Sequence, residues 1–124
     1  CEAAISKGEG GITIYMDENH HYDLAIRKVD NVYEVVEKLN IGDIKSTENK
    51  ISLGGVNKAE LIIRSDNKYY NFFVNNGTEE IALGKAKTKY LSSEVAGGFT
   101  GVLIGLYASG DNIINFENFN CKYI

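Results

Sequence analysis

The chain has 124 residues, 44% of them hydrophobic and 24% charged, which suits one domain with a real core and is too apolar for a disordered segment. With 17 Asp and Glu against 13 Lys and Arg, the net charge is −4; the basic residues are scattered and form no stripe, which excludes a nucleic-acid footprint. No apolar run reaches transmembrane length and no signal-peptide pattern is present, so no membrane partner is expected.

In chain order, Cys1, Ala3 and Ile5 alternate with Glu2, Ala4 and Ser6 as a short half-buried strand. Gly8 to Gly11 reads as a turn, followed by a strand in which Ile12, Ile14 and Met16 alternate with Thr13 and Tyr15. Asp17 to His20 is a polar hairpin connection into the alternation of Tyr22, Leu24 and Ile26 with His21, Asp23, Ala25 and Arg27. Asp30-Asn31 turns the chain into the β-branched run Val32 to Leu39, and the polar stretch Asp43 to Leu53 reads as one or two edge strands. After Gly54-Gly55, Ala59, Leu61 and Ile63 alternate with Glu60, Ile62 and Arg64. Asp66-Asn67 leads to the aromatic run Tyr69, Tyr70, Phe72, Phe73. Asn75-Asn76-Gly77 predicts a type I′ hairpin, because that turn needs positive φ at both central residues. Glu79 to Leu83 returns as a strand, and Gly84 to Ser93 reads as a looser connection.

Gly97-Gly98 suits a tight exposed bend, with Phe99 directly after it. From Thr100 to Ala108 the chain is apolar on both faces: Val102, Ile104 and Leu106 point one way, Leu103 and Tyr107 the other, beside Gly101 and Gly105. Such a strand is expected in the centre of a sheet or covered on both sides. Ser109 to Asn112 turns the chain, and Ile113 to Tyr123 is the last strand. Turn signals about every ten residues between short alternating runs predict an all-β sandwich or barrel, with no amphipathic helix.

The chemistry-bearing residues are few. His20 and His21 have Asp17, Glu18 and Asp23 close by, but adjacent strand residues point to opposite faces, so the two imidazoles cannot readily share an ion. A polar hairpin shoulder is the preferred reading, with no metal and no cofactor. Carboxylates are plentiful, yet nothing picks out a glycosidase acid/base pair. Glu94 is the only acid next to the Gly-Gly bend, and its bland reading is a solvated loop charge. No nucleophile elbow, phosphate loop or zinc-spaced cluster is present. The aromatic strands could stack sugars but fill cores equally well, and with no Trp in the chain core packing is preferred. Cys1 and Cys121 read as two free thiols of a cytosolic protein, with a disulfide left open because sequence cannot give the Cα distance. Cys in place of Met at the first position fits either a lipidated mature chain or a piece of a longer protein. The strand pattern starting at once, without a polar tether, favours the piece.

Three motifs carry a family resemblance. Gly97 to Gly101 with the strand Val102 to Ala108 resembles the glycine-glycine-phenylalanine-threonine-glycine bend of the C-terminal domain of glycoside hydrolase family 43, the β-xylosidase and α-arabinofuranosidase group. Glu9 to Ile26 resembles its paired strands around an asparagine-histidine-histidine-tyrosine hairpin, and Ile114 to Phe119 more weakly resembles its closing strand, where Asn115, Glu117 and Asn118 depart from the usual residues. The likeness spans nearly the whole chain in order. It implies an antiparallel concanavalin A-like (jelly-roll) β-sandwich over residues 1–124 that lacks its first strands, with an exposed sheet edge that would favour a homo-oligomer. It implies a bacterial cytoplasmic parent enzyme acting on xylo- or arabino-oligosaccharide. The catalytic carboxylates of that parent would lie on a preceding five-bladed β-propeller, so no catalytic residue carries over and this chain alone would be inactive. The family's pocket-closing role falls on Phe99 with Gly97 and Gly98; Glu94, His20 and His21 are candidate secondary contacts. Two other readings stand beside it: an autonomous carbohydrate-binding module using Tyr69 to Phe73, and a purely structural packing domain.

Overall fold

The alternating runs become strands in a computed structural model of the chain, which describes residues 2–5, 8–65, 69–87, 103–109 and 114–117. The strands are β1 (Glu2–Ile5), β2 (Glu9–Asp17), β3 (His20–Val29), β4 (Val32–Ile41), β5 (Ile44–Gly54), β6 (Lys58–Ser65), β7 (Tyr69–Asn75), β8 (Glu80–Lys87), β9 (Leu103–Ser109) and β10 (Ile114–Glu117). They pair antiparallel into two five-stranded sheets. The order is β10-β1-β6-β7-β8 in the first, called sheet A, and β5-β4-β3-β2-β9 in the second, sheet B. The sheets face each other, with β3 over β1 and β6, and β4 and β5 over β8.

The two-residue period of each strand assigns its faces. In β3, Tyr22, Leu24 and Ile26 point inward and are fully buried; Ile12 and Ile14 of β2 and Val35 of β4 lie beside them. Ala3, Ile5, Ala59, Leu61, Phe72 and Val74 meet them from sheet A. Tyr22 packs edge-on against both Tyr70 and Phe72, with ring centroids 5.9 and 6.4 Å away. Each such large side chain contributes roughly 1.5–3 kcal/mol by burial. The turn at Asp30-Asn31 joins β3 to β4, with Asp30 at φ 57°, a conformation Asp tolerates better than most residues. That turn fixes an unbroken register from Val29↔Val32 to His20↔Ile41.

Four expectations change. Gly10 and Gly11 are not a turn but part of β2, which starts at Glu9. A methyl on Gly11 would run into the Leu24 carbonyl and the Ala25 Cα of β3, so glycine is needed there for the close approach of two strands. The Asn75-Asn76-Gly77 connection is not a two-residue type I′ turn. Residues 76–79 link β7 to β8, only Gly77 has positive φ (100°), and the Asn76 Oδ1 accepts from the Thr78 and Glu79 amides at 3.0 and 3.1 Å. An Asn side chain that caps the turn replaces the backbone geometry that the dipeptide suggested. Gly84 to Lys87 is not a loose connection but the second half of β8, which absorbs an extra residue at an irregularity opposite Phe72 and Phe73. Finally, β9 is not central: among the described strands it ends sheet B, paired with β2 alone. Its Ile104 and Leu106 share the inward face of Ile14 and Ile12, yet are 45% and 40% exposed. Apolar character on both faces signalled a covered strand, but coverage depends on what the other sheet places opposite. The polar stretch Asp43 to Leu53 becomes one long edge strand, β5. The turns at residues 66–67 and 110–112, and both cysteines, lie outside the described residues.

Candidate functional site

The outward face of sheet B follows from register. Tyr15, His21, Asn40 and Lys45 form one cross-strand row; Thr13, Asp23, Lys38 and Thr47 form the next. Gly11, Ala25 and Val36 form a third, with Tyr107 of β9 opposite Gly11. Ala25 and Val36 are fully buried although they point outward, so longer neighbours must roof them. Lys38 does so from β4: its Nζ crosses β3 to the Glu9 carboxylate on β2, at 2.9 and 2.7 Å to the two oxygens. The Tyr107 hydroxyl donates to the same carboxylate at 2.9 Å. Burial, reinforced by the Glu9 charge, pushes the Tyr107 hydroxyl far above its ordinary value, so it stays a donor at any physiological pH.

At the other end of this face three side chains lock together. His21 Nδ1 lies 3.0 Å from Asp23 Oδ1, and Asn40 Nδ2 lies 3.1 Å from His21 Nε2. A carboxylate can only accept, so the Asp23 contact sets the ring proton on Nδ1 and leaves Nε2 to accept from the Asn40 amide. Tyr15 stacks on the far side of the imidazole, centroid to centroid 5.9 Å at 26°, and remains 37% exposed. Asn40, only 8% exposed, has no protein partner for its Oδ1, and the buried Thr13 Oγ1 is likewise unpartnered among the described residues. Beside this cluster opens a cleft of about 250 Å³, lined by His21, Asp23, Lys38, Asn40, Lys45 and Thr47 together with Leu39 and Ser46. The arrangement offers donors and acceptors held by one another rather than a paired acid and base.

The outward face of sheet A is finished differently. Arg64 lies over the Phe73 ring at 4.8 Å and Lys85 over Tyr69 at 4.3 Å, while Arg64 also forks onto Glu80 at 2.8 and 2.9 Å. Tyr70 and Phe72 point inward into the core. A larger hollow of about 470 Å³ lies by Glu2, Lys58, Ala59, Glu60, Asn75 and Gly77, with a Lys58–Glu2 pair at 3.6 Å. Among the described residues no unpartnered buried polar atom belongs to its lining.

The candidate residues divide accordingly. Gly97, Gly98, Phe99 and Glu94 lie outside the described residues. His21 sits in the cluster above; His20 starts β3 opposite Ile41, one residue along and on the other face. No group of three His, Cys, Asp or Glu side chains among the described residues is placed to hold a metal ion. Asp23 was legible as a neighbour of His21, but Asn40 was not singled out. The signal existed: a two-residue turn at Asp30-Asn31 dictates that His21 pairs with Asn40.

Residues 2–122 match the family described as the beta xylosidase C-terminal concanavalin A-like domain. The chain is 31% identical over 111 residues to the non-reducing end alpha-L-arabinofuranosidase BoGH43B of Bacteroides ovatus, covering 90% of this chain and 21% of that protein. Among solved structures it resembles the Bacteroides ovatus xyloglucan PUL GH43B, with TM-score 0.79, 30% identity, and 92% of this chain against 24% of the other covered. A GH43_12 protein retrieved from a capybara gut metagenome has TM-score 0.76 and 23% identity over 81% of this chain and 20% of its own. BlXynB of Bacillus licheniformis has TM-score 0.74 and 18% identity, with 91% and 25% covered. The last two show the shared fold alone, and the chain spans only about a fifth to a quarter of the length of all these relatives. The chain belongs to the family of C-terminal concanavalin A-like β-sandwich domains of glycoside hydrolase family 43.

Proposed function

We propose that this sandwich is the accessory domain of a glycosidase acting on xylo- or arabino-oligosaccharides, that it packs on a catalytic β-propeller, and that Phe99 on the Gly97-Gly98 bend helps close the sugar pocket of that partner domain. The observation that carries this reading is the family match over residues 2–122, which accounts for about a fifth of the arabinofuranosidase relative and leaves the rest of such a protein to do the chemistry. The inward but exposed Ile104 and Leu106 on β9 support it, because an apolar strip at the end of a sandwich is a surface that a neighbouring domain can cover. In sequence, Gly97 to Gly101 precede this strand with Val102 between them.

The test is Phe99→Ala in the parent enzyme. The expected result is a rise in KM or a fall in kcat of about tenfold, the range for one lost hot-spot aromatic, with the Tm unchanged. Kinetics equal to the unsubstituted enzyme would remove the pocket-closing role. The autonomous-module reading, built on Tyr69 to Phe73, has less support: Tyr70 and Phe72 face the core, and cations lie over the outward rings of Tyr69 and Phe73.

A further inference from the structure

We infer that the free edge of β9 is an acceptor for one added strand, and that this strand comes from the part of the parent polypeptide outside residues 1–124. Among the described strands β9 ends sheet B, so every second backbone N–H and C=O along it points away from β2, with no described strand beside it. Natural sheet ends are guarded against such pairing by charge, irregularity or shortness. The other three described ends follow that rule. β5 carries Lys45 and Lys50 and two register shifts against β4. β8 carries Lys85 and one shift against β7. β10 is only four residues long. β9 has none of these guards: its seven residues, Leu103–Ser109, include no charge and no proline, and they pair one for one with β2 from Tyr15↔Leu103 to Glu9↔Ser109.

The side chains tell the same story as the backbone. Ile104, Leu106 and Ala108 face inward, opposite Ile14, Ile12 and Gly10 of β2. Ile14 and Ile12 are buried, yet all three inward residues of β9 are exposed, Ile104 and Leu106 by 45% and 40%. The core is thus covered as far as β2 and stops one strand short. A domain packed flat on this strip would cover the side chains but leave the edge N–H and C=O groups without partners, which buried backbone rarely tolerates. A paired strand meets both needs. Its chemistry follows from β9: an extended segment, apolar at the positions beside Ile104 and Leu106. Beside Gly105 it has room for a large side chain, because a Cβ added there meets nothing within 4 Å. Two sources compete to supply the segment, a second copy and the parent polypeptide. The chain spans only about a fifth to a quarter of its relatives' length, so most of such a polypeptide lies outside it. A tethered segment acts at roughly millimolar effective concentration, ahead of a free second copy.

This inference rests on the reading that these residues belong to a longer glycosidase, but not on the role of Phe99. The experiment is hydrogen–deuterium exchange, followed by mass spectrometry, on the parent enzyme and on the dilute 124-residue chain. In the parent every β9 amide should exchange as slowly as those of β3. In the dilute chain about half of them, those turned away from β2, should exchange as fast as exposed turns. Leu106→Lys places an edge guard under the added strand; it should speed β9 exchange in the parent by about tenfold or more and leave the dilute chain unchanged, because Leu106 is already exposed there. If the 124-residue chain does not fold alone, the parent and its Leu106→Lys variant decide. A parent in which half of the β9 amides stay fast, or in which Leu106→Lys leaves them all slow, overturns the inference. So does a dilute chain in which all are slow, because the chain then covers its own edge. Protection that grows with the concentration of the isolated chain and is absent from the parent assigns the edge to a second copy, and overturns it too. Unaltered kinetics in Phe99→Ala, with β9 fully slow in the parent, would remove the pocket role and leave the edge assignment standing.

Discussion

On sheet A the outward rings of Phe73 and Tyr69 lie under Arg64 and Lys85; on sheet B the outward ring of Tyr15 leans on His21, and the cleft next to His21 is lined by Asn40, whose Oδ1 is unpartnered among the described residues. Both faces use the same ingredients, aromatic rings and charged side chains alternating along antiparallel strands. The difference lies in where the charges go. On sheet A they close over the rings, and the Arg64–Glu80 fork sits in solvent. On sheet B Lys38 reaches across β3 to Glu9 and, with Tyr107, ties β2, β4 and β9 together. Aromatic richness therefore does not locate a site. A site needs polar groups whose partners are held but whose capacity is not exhausted, and only the second face has them among the described residues.

The largest expected effect that separates the two faces comes from Gly11. Gly11→Ala drives a methyl into the backbone of β3 and should cost about 3 kcal/mol, the upper range for overpacking, because backbone cannot step aside as a side chain can. Urea unfolding measures it; a loss under about 1 kcal/mol would mean that β2 and β3 are not so close. The second effect is Lys38→Met, which keeps the roof over Ala25 and Val36 and removes only the charge. It leaves the Glu9 carboxylate with Tyr107 as a partner and should cost about 1.5 kcal/mol, reduced from the buried-pair value because the Lys38 head is about a third exposed. The matching change on sheet A, Arg64→Ala, breaks an exposed pair and should leave the unfolding midpoint unmoved. Equal losses for the two would erase the distinction drawn between the faces.

The interior that both sheets share supplies the third, smaller effect. Glu37 points inward from β4 and is fully buried; Asn49 Nδ2 donates to its Oε2 at 2.7 Å, its Oε1 is unpartnered among the described residues, and Gly84 of β8 leaves the room for this pair. Burial raises the Glu37 carboxyl above its ordinary value, partly opposed by the Asn49 hydrogen bond and helped by the nearby Glu48 charge. Below an unfolded pKa of about 4.3 both states are protonated and Glu37 costs nothing. As pH rises from there through the folded pKa, the unfolded chain releases its proton first and the fold loses stability. Glu37→Gln should thus leave the melting midpoint unchanged near pH ~4 and raise it near pH ~7. A lower midpoint at neutral pH would show that the carboxylate is better held than burial implies.

Much of the site was legible in pieces. His21 and Asp23 sit two apart on an alternating run, so their shared face follows from the strand period. Asn40 is 19 residues further on and lies just past the run Val32 to Leu39; it entered the site only because β4 continues to Ile41. Thr13 and Tyr15 were correctly placed on one face of β2, but alternation does not say whether a neighbour will satisfy a hydroxyl or leave a ring exposed. The misplaced β9 has the same origin. Its Ile104, Leu106 and Tyr107 were assigned to the right faces, while its position at the end of the sheet among the described strands depends on β10 and β1 lying elsewhere.

By itself the sequence determined the all-β class, the faces of its strands and, through Gly97 to Gly101 and the hairpin around His20-His21, the family. These are local properties: the period of two is set by the pleat, and turns are set by residues that tolerate unusual φ. Tertiary structure alone decided which strand would be an edge, which aromatic rings a cation would cover, that Gly11 is a packing glycine rather than a turn, and that His21, Asp23 and Asn40 would meet. Each of these depends on residues far apart in the chain, brought together by register and by the packing of one sheet on the other. A two-residue alternation contains no record of what stands across from it.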